Sequence, residues 1–538
     1  MKRLFPILVL ILTTAVVLPA LCADTTGATA TPDHIVLTWT DNPAVTQTIT
    51  WRTDTTVASG YVRYQAGTAL SKKAKTAPAA SLDFTTDLGT ARLFTAKLTD
   101  LKPNTKYAYC VGSDQRMSET YTFSTADPKA DHFKFLVFGD SQSGIPENAI
   151  YQPWGITIHN AADANKDAKF LINMGDMVEI GASGDHWNNW FTAAQGVIES
   201  VPEMPVQGNH ETYGFSFQDA SKPYLMTVQF PVPQNGPDGL KGQVYSYDYG
   251  PVHFDVLDSQ EEEESPKYGD ILKAQKTWLD ADLAASHAVW KIALFHKTPY
   301  YNKASRTNEP IKAAFCPIFD KYHVDFVLNG HDHGVGRTYA IANDEFMEKP
   351  SQGTIYYTTG RSGNKSYGDL SQKIWDTFFY DPQDQPNYLV MEASSTKFTI
   401  ETYKQDGTLV DAFFVDKTKD IDSDTALHPV PNKYWSKFAK PVLAIYGNIV
   451  GPTISRHDPM QRNGVWYVDA NAFAASVGLR LAVQSDSVTF SQARGRSTTI
   501  AMNDTLMDGT LLVSVEALKK LGFSSVFHPE NNILSMAK

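Results

Sequence analysis

From Asp33 to Thr125, apolar and polar residues alternate in short runs. HIVLTWT, TQTITWRT, GYVRYQAG and ARLFTAKLTDL carry the two-residue period of strands with one buried face, and turn residues separate them. Strands of that length and spacing predict a β-sandwich over residues 33–125. A polar connector, ADPKAD, ends the pattern. Beyond it FKFLVFGD, AKFLINMGD, MPVQGNH, VHFDVLDS, WKIALFH and VDFVLNGH are compact apolar runs, as expected of strands covered on both faces. KAQKTWLDADLAASH and EPIKAAFCPIFDKY lie between them and read as helices. The strands of GTIYYTTG, NYLVMEAS, KFTIETYK and LVDAFFVD close this α/β unit, which spans 131–418. After a polar connector, residues 441–538 hold an internal repeat. NGVWYVDANAFAASVGL is echoed by DGTLLVSVEALKKLGF with one residue fewer, each copy a strand, a helix and a strand-turn-strand. The expected fold is multidomain: an N-terminal β-sandwich, a central α/β domain and a C-terminal α+β repeat domain.

Length agrees, because 538 residues exceed what one hydrophobic core organises. With 42% hydrophobic and 20% charged residues, the chain has the composition of a folded protein. Its net charge of -12, with no basic tail or helix, argues against a nucleic-acid scaffold or an anionic-membrane partner. At the N-terminus, Lys2 and Arg3 precede an apolar run from Leu4 to Leu21, followed by small residues. This is the pattern of a secretory signal peptide over residues 1–23. An uncleaved anchor helix is the main alternative. A lipoprotein is disfavoured by the bulky Leu21 before Cys22. The expectation is a secreted, extracellular mature chain with no membrane span. Of three cysteines, Cys22 sits at the signal's edge, while Cys110 and Cys316 fall in different units and read as buried thiols. No disulfide scaffold or zinc–thiolate site is encoded.

Five runs of the central unit end in residues that ligate metals: Asp140, Asp176, Asn209 with His210, His296, and His331 with His333. Strands of one sheet deliver their C-terminal ends to one edge, where loops gather side chains. One such end is a common turn; five in order are a constellation. Imidazole and oxygen donors without thiolate suit iron, zinc or manganese better than calcium.

The order GD, GD, GNH, H, GHxH resembles the calcineurin-like metallophosphoesterases. QKTWLDADL, HKTPYY, GHDHGVGRTY and GTIYYTTGRSGNK are similar to purple acid phosphatase segments. LTDLKPNTKYAYCVG resembles the tyrosine-corner region of fibronectin type III domains, and the C-terminal repeat resembles the stalk-type repeat of copper amine oxidase N-terminal domains. The resemblance implies a central fold of two packed mixed sheets flanked by helices. It implies two metal ions and no organic cofactor. Asp176 would be shared between the ions, Asp140 and His333 would complete one site, and Asn209, His296 and His331 the other. His210 would be the general acid in hydrolysis of small phosphate monoesters by a metal-bound hydroxide. Arg337 would either contact phosphate or hold its loop. The C-terminal domain would attach the enzyme to a cell wall or partner surface.

Two departures qualify this. The family's ligand tyrosine, in GDxxY, is replaced by Glu179, and the histidine of GDxH by Gln142. Either residue, or a water, would have to complete the first site, and no tyrosinate-to-iron colour is expected. GRSGNKS lacks phosphate-loop spacing and is expected near the site in a loop. The run Glu261 to Glu264 reads as a solvated charge cluster. GDHWNNWF reads either as pocket wall or as packed aromatics. The competing functions are a phosphodiesterase or nucleotidase using the same centre, and a degenerate cell-surface binding protein.

Overall fold

The computed structural model describes residues 26–538, except 216–219, 304–305, 307, 374, 425–440, 447, 451–457, 493–496, 502–504, 508–509 and 530–531. The expected signal peptide and Cys22 lie outside the described residues.

The N-terminal unit is a sandwich of two four-stranded antiparallel sheets. Leu37, Ile49, Trp51, Phe94, Tyr109 and Phe123 meet between them. The Tyr107 hydroxyl accepts the Lys102 backbone N–H at 2.8 Å, pinning the corner that the sequence pattern suggested. One edge of the sandwich is built into its neighbour. Trp39 packs among Phe170, Tyr247 and Tyr249 of the central unit. Val36, Phe84 and Leu93 join Trp187 and Leu225 in a second shared cluster. The Tyr109 hydroxyl donates to the Glu199 carbonyl at 2.6 Å, and Arg52 links Asp33 to Asn188.

Two mixed sheets form the central unit. In the first, Glu203–Pro205, Leu171–Asn173 and His132–Phe138 run parallel, and Asn387–Ser394, Lys397–Lys404 and Leu409–Asp416 continue it antiparallel. In the second, Val252–Val256, Trp290–Leu294, Phe326–Asn329 and Thr354–Thr359 run parallel. Tyr245–Tyr249 and Val335–Ala342 flank these four antiparallel. Alternation explains why both faces are apolar. Phe133, Phe135 and Val137 point into the core between the sheets, while Leu136 and Phe138 meet the helices Gln152–Ala164 and Gly184–Ala194. On the other side Ile292 and Leu294 face inward, and Ala293 and Phe295 meet the helices Ile271–Ala285 and Glu309–Tyr322. Burying each such large side chain stabilises the fold by about 1.5–3 kcal/mol. Ser183 and Asp270 cap two of these helices through the N–H groups of His186 and Lys273. The residues of GDHWNNWF are packed aromatics: Trp187 and Trp190 are buried, and His186 bonds the Tyr151 hydroxyl at 2.8 Å and the Pro146 carbonyl.

Glu203, in the edge strand of the first sheet, is wholly buried, and neither of its carboxylate oxygens has a hydrogen-bond partner. Burial pushes its carboxyl up from 4.5 to about 8. The folded state then keeps a proton that the unfolded chain releases, so stability present below pH 4.5 is lost as pH rises towards about 8. The slope is at most ~1.4 kcal/mol per pH unit. Unfolding midpoints measured at pH 5 and pH 8 should differ by less in Glu203→Gln than in the parent.

In the C-terminal unit the repeat appears as Val465–Asp469 leading into the helix Ala470–Ser476, and Leu511–Ser514 leading into Val515–Leu518. The two strands pair with each other, Val468 opposite Val513. Asp469 and Ser514 occupy equivalent places and each caps its helix. Cys110 and Cys316 are buried free thiols. No helix among the described residues is long and apolar enough to cross a membrane.

Candidate metal centre

The strand His132–Phe138 ends two residues before Asp140, Leu171–Asn173 three before Asp176, Trp290–Leu294 two before His296, and Phe326–Asn329 two before His331. Because these strands run parallel within each sheet, their ends meet at one edge. There Asp176, His296 and His331 place ligand atoms within 4.8 Å of one another, and Asp140, Asp176 and His333 do the same. Asp176 belongs to both groups. Its Oδ2 lies 3.1 Å from His296 Nε2, and Asp140 Oδ1 lies 3.2 Å from His333 Nε2.

Hydrogen bonds outside the centre aim the rings inward. His296 donates Nδ1–H to the Met174 carbonyl at 2.7 Å, which turns Nε2 towards Asp176. His333 donates Nδ1–H to the Lys365 carbonyl at 2.9 Å, and its Nε2 is buried with no hydrogen-bond partner. His331 presents Nδ1 to His296 Nε2 at 3.2 Å, and Arg306 bonds its other face. Asn209 uses Nδ2 on the Tyr213 hydroxyl, leaving Oδ1 buried without a hydrogen bond. Buried polar atoms left in this way fit cation ligands and are costly otherwise.

The backbone is shaped around these groups. Asp140, Asp176, His331 and His333 have φ of 45°, 50°, 74° and 60°, a left-handed conformation that side chains rarely adopt and that concentrates at functional sites. The glycine of GNH has a steric reason: a Cβ on Gly208 would lie 2.3 Å from Asp176 Oδ1. Glu211 fastens the second and third motifs together. Its buried carboxylate accepts N–H groups of Asp176, Met177, Val178 and Gly208 at 2.7–3.2 Å.

Electrostatics follow from burial and crowding. Burial alone would raise the Asp176 carboxyl, but His296, His210 and His331 hold it well below the usual range. Burial works against the His296 imidazolium too, yet Asp176 and Asp140 bring it up to about 9. For His210, burial prevails and lowers the imidazole, with Lys365 adding to that effect.

Comparison with known proteins agrees with this geometry. Residues 133–335 match the family described as calcineurin-like phosphoesterase, and residues 32–125 match the purple acid phosphatase N-terminal domain. Residues 133–335 are thus a calcineurin-like phosphoesterase domain. An uncharacterized protein of Mycobacterium tuberculosis is 29% identical over 274 residues, which are 46% of this chain and 50% of that one. The "Probable inactive purple acid phosphatase 27" of Arabidopsis thaliana is 26% identical over 326 residues, 53% of this chain and 52% of the relative. The chain thus spans about half the length of these curated relatives. A purple acid phosphatase from yellow lupin seeds shares the fold, with a TM-score of 0.60 at 20% identity over 72% of this chain and 74% of that structure.

Within the phosphoesterase domain the two substituted positions differ. Gln142 lies beside the shared carboxylate, its Nε2 3.2 Å from Asp176 Oδ2 and its Oε1 buried without a hydrogen bond. The Glu179 carboxylate is engaged, accepting the Gly144 N–H at 2.9 Å and lying 3.3 Å from Lys365 Nζ. Of the two, Gln142 is the one with an oxygen to offer.

Arg337 does not line the pocket at the candidate metal centre. It is buried over the Phe413 ring and pairs with Asp411 and Asp424, so it joins the sheets instead of contacting phosphate. The acidic run is not solvated as a whole either. It forms the start of the helix Glu261–Tyr268, where Glu264 is buried on Gln207 and Gln243 and Glu263 pairs with Lys297 at 2.8 Å. Lys297, Arg306 and Tyr367, which strand-end reasoning did not single out, line the pocket beside Asn209 and His331, as does Lys365 of GRSGNKS. The only sequence signal for them was position: Lys297 and Arg306 follow the ligand-bearing strand Trp290–Leu294, and Lys365 and Tyr367 follow Thr354–Thr359 of the same sheet.

Proposed function

We propose that the chain hydrolyses small phosphate monoesters at a centre of two cations of the iron, zinc or manganese class. The observation carrying this reading is the single carboxylate, Asp176, common to both ligand groups. Two cations bound there would neutralise a phosphoryl group and make a water nucleophilic near neutral pH. Asp140 and His333 would hold one, Asn209, His296 and His331 the other, with Gln142 beside the first.

The remaining side chains of the pocket, about 480 Å³ in volume, serve substrate and leaving group. His210 donates Nδ1–H to the Glu179 carbonyl at 2.7 Å, which aims Nε2 at the ammonium of Lys365, 3.0 Å away. This pair places a proton where a departing alkoxide needs one, and Lys365 adds positive charge for a dianionic phosphate. That charge favours monoesters over diesters.

A simple aryl monoester should be turned over faster than its diester, and chelation should abolish both activities until metal is restored. His210→Ala should lower kcat by roughly 10²–10⁴-fold, with the greater loss on alkyl esters, whose leaving groups need the proton most. Lys365→Met should raise KM and also lower kcat, because it removes both the charge facing the phosphate and the ammonium that meets His210 Nε2. Turnover that is indifferent to chelation, or absent from the metal-loaded protein, would count against hydrolysis and for the surface-binding alternative.

A further inference from the structure

A second group of ligand-type side chains lies away from the phosphoesterase centre. His253 and Asp255 alternate with Val252, Phe254 and Val256, which face the core between the sheets, so the polar pair lies on the strand's other face. The helix Ile271–Ala285 contributes Asp282, and the neighbouring strand contributes Asp248, the register partner of His253. His253 is also level with Lys291, near the start of Trp290–Leu294, whereas His296 lies beyond that strand's end. The two groups therefore sit towards opposite ends of one sheet.

The histidine is oriented as metal-bound imidazoles are. Nδ1–H donates to Asp248 Oδ1 at 2.7 Å, which turns Nε2 towards Asp282 Oδ2 at 3.2 Å and Asp255 Oδ2 at 3.6 Å. Two donors at bonding distance from a tetrahedral zinc stand ~3.3–3.4 Å apart, and these separations bracket that value. Asp255 is wholly buried and neither of its oxygens accepts a hydrogen bond. An imidazolium alone does not account for this. It bonds Asp248 and Asp282 well but stays too far from Asp255, and it sets one positive charge against three carboxylates.

We propose that His253, Asp255 and Asp282 bind one divalent cation of the zinc class, with Asp248 orienting the imidazole. Asp248 is largely exposed and Asp282 partly so, which gives the ion a path from solvent. Its effect is to tie the helix Ile271–Ala285 to the sheet.

The test is equilibrium dialysis of the full chain against zinc, with elemental analysis of the parent, Asp255→Asn and Asp282→Asn. The parent should bind one equivalent more than either variant, and Asp176→Asn should leave that equivalent in place while depleting the phosphoesterase centre. Equal zinc in the parent and both carboxamide variants overturns the proposal. Should Asp255→Asn fail to fold, Asp282→Asn, at the protein surface, carries the comparison. An anomalous difference map at the zinc edge from crystals of the parent needs no variant: a peak among His253 Nε2, Asp255 and Asp282 supports the site, and its absence overturns it.

Discussion

Asp176→Asn is expected to deplete both halves of the centre at once. The carboxamide can still accept the His210 N–H that Asp176 Oδ1 accepts at 2.9 Å, so the loop has a reason to stay in place. What it lacks is the negative charge that lets one side chain serve two cations. Loss of several kcal/mol of charge stabilisation corresponds to a fall of roughly 10³-fold or more in turnover. Elemental analysis alongside aryl phosphate turnover checks both halves of the expectation. Asn209→Ala should instead deplete mainly the site with His296 and His331. A fully loaded, active Asp176→Asn protein would contradict a shared carboxylate.

The second large effect is expected at Glu211, which touches no substrate. Its carboxylate gathers four backbone N–H groups from two loops, and alanine would strand all of them in a buried place. Each unsatisfied donor costs ~1–3 kcal/mol, and because the losses share one cause a total of about 3–5 kcal/mol is expected. Denaturant unfolding of the metal-free protein would measure it. Metal affinity should fall as well, because the same bonds hold the backbone N–H of Asp176 and Gly208. Glu211→Gln should recover part of the stability, since one amide oxygen replaces two carboxylate oxygens. A Glu211→Ala protein of unchanged stability and metal content would show that the loops hold themselves.

The parts of this architecture legible in the sequence are those that periodicity encodes. Apolar runs gave the strands, and ligand types just after those runs marked the edge where they meet. The repeat was readable because Asp469 and Ser514 stand before equivalent helices. Legibility ended where a residue's partner lies far along the chain. Arg337 sits in a motif-like segment, yet Asp411 and Asp424 decide its role. Glu264 looks solvated among four glutamates, yet Gln207 and Gln243 enclose it. Lys365 lay in a loop whose letters suggested another motif, and only the fold brings it to His210. The left-handed backbone at four ligands left no mark in the order of residues beyond a neighbouring glycine.

The sharing of Trp39, Val36 and Leu93 with the central clusters bears on how this protein can be dissected. A recombinant fragment starting at residue 131 would carry every ligand and still present a wet, apolar scar where the indole had been. Such a truncation should come out of expression hosts as inclusion bodies. A cut after the sandwich therefore separates two names on a domain map, but not two independently soluble pieces.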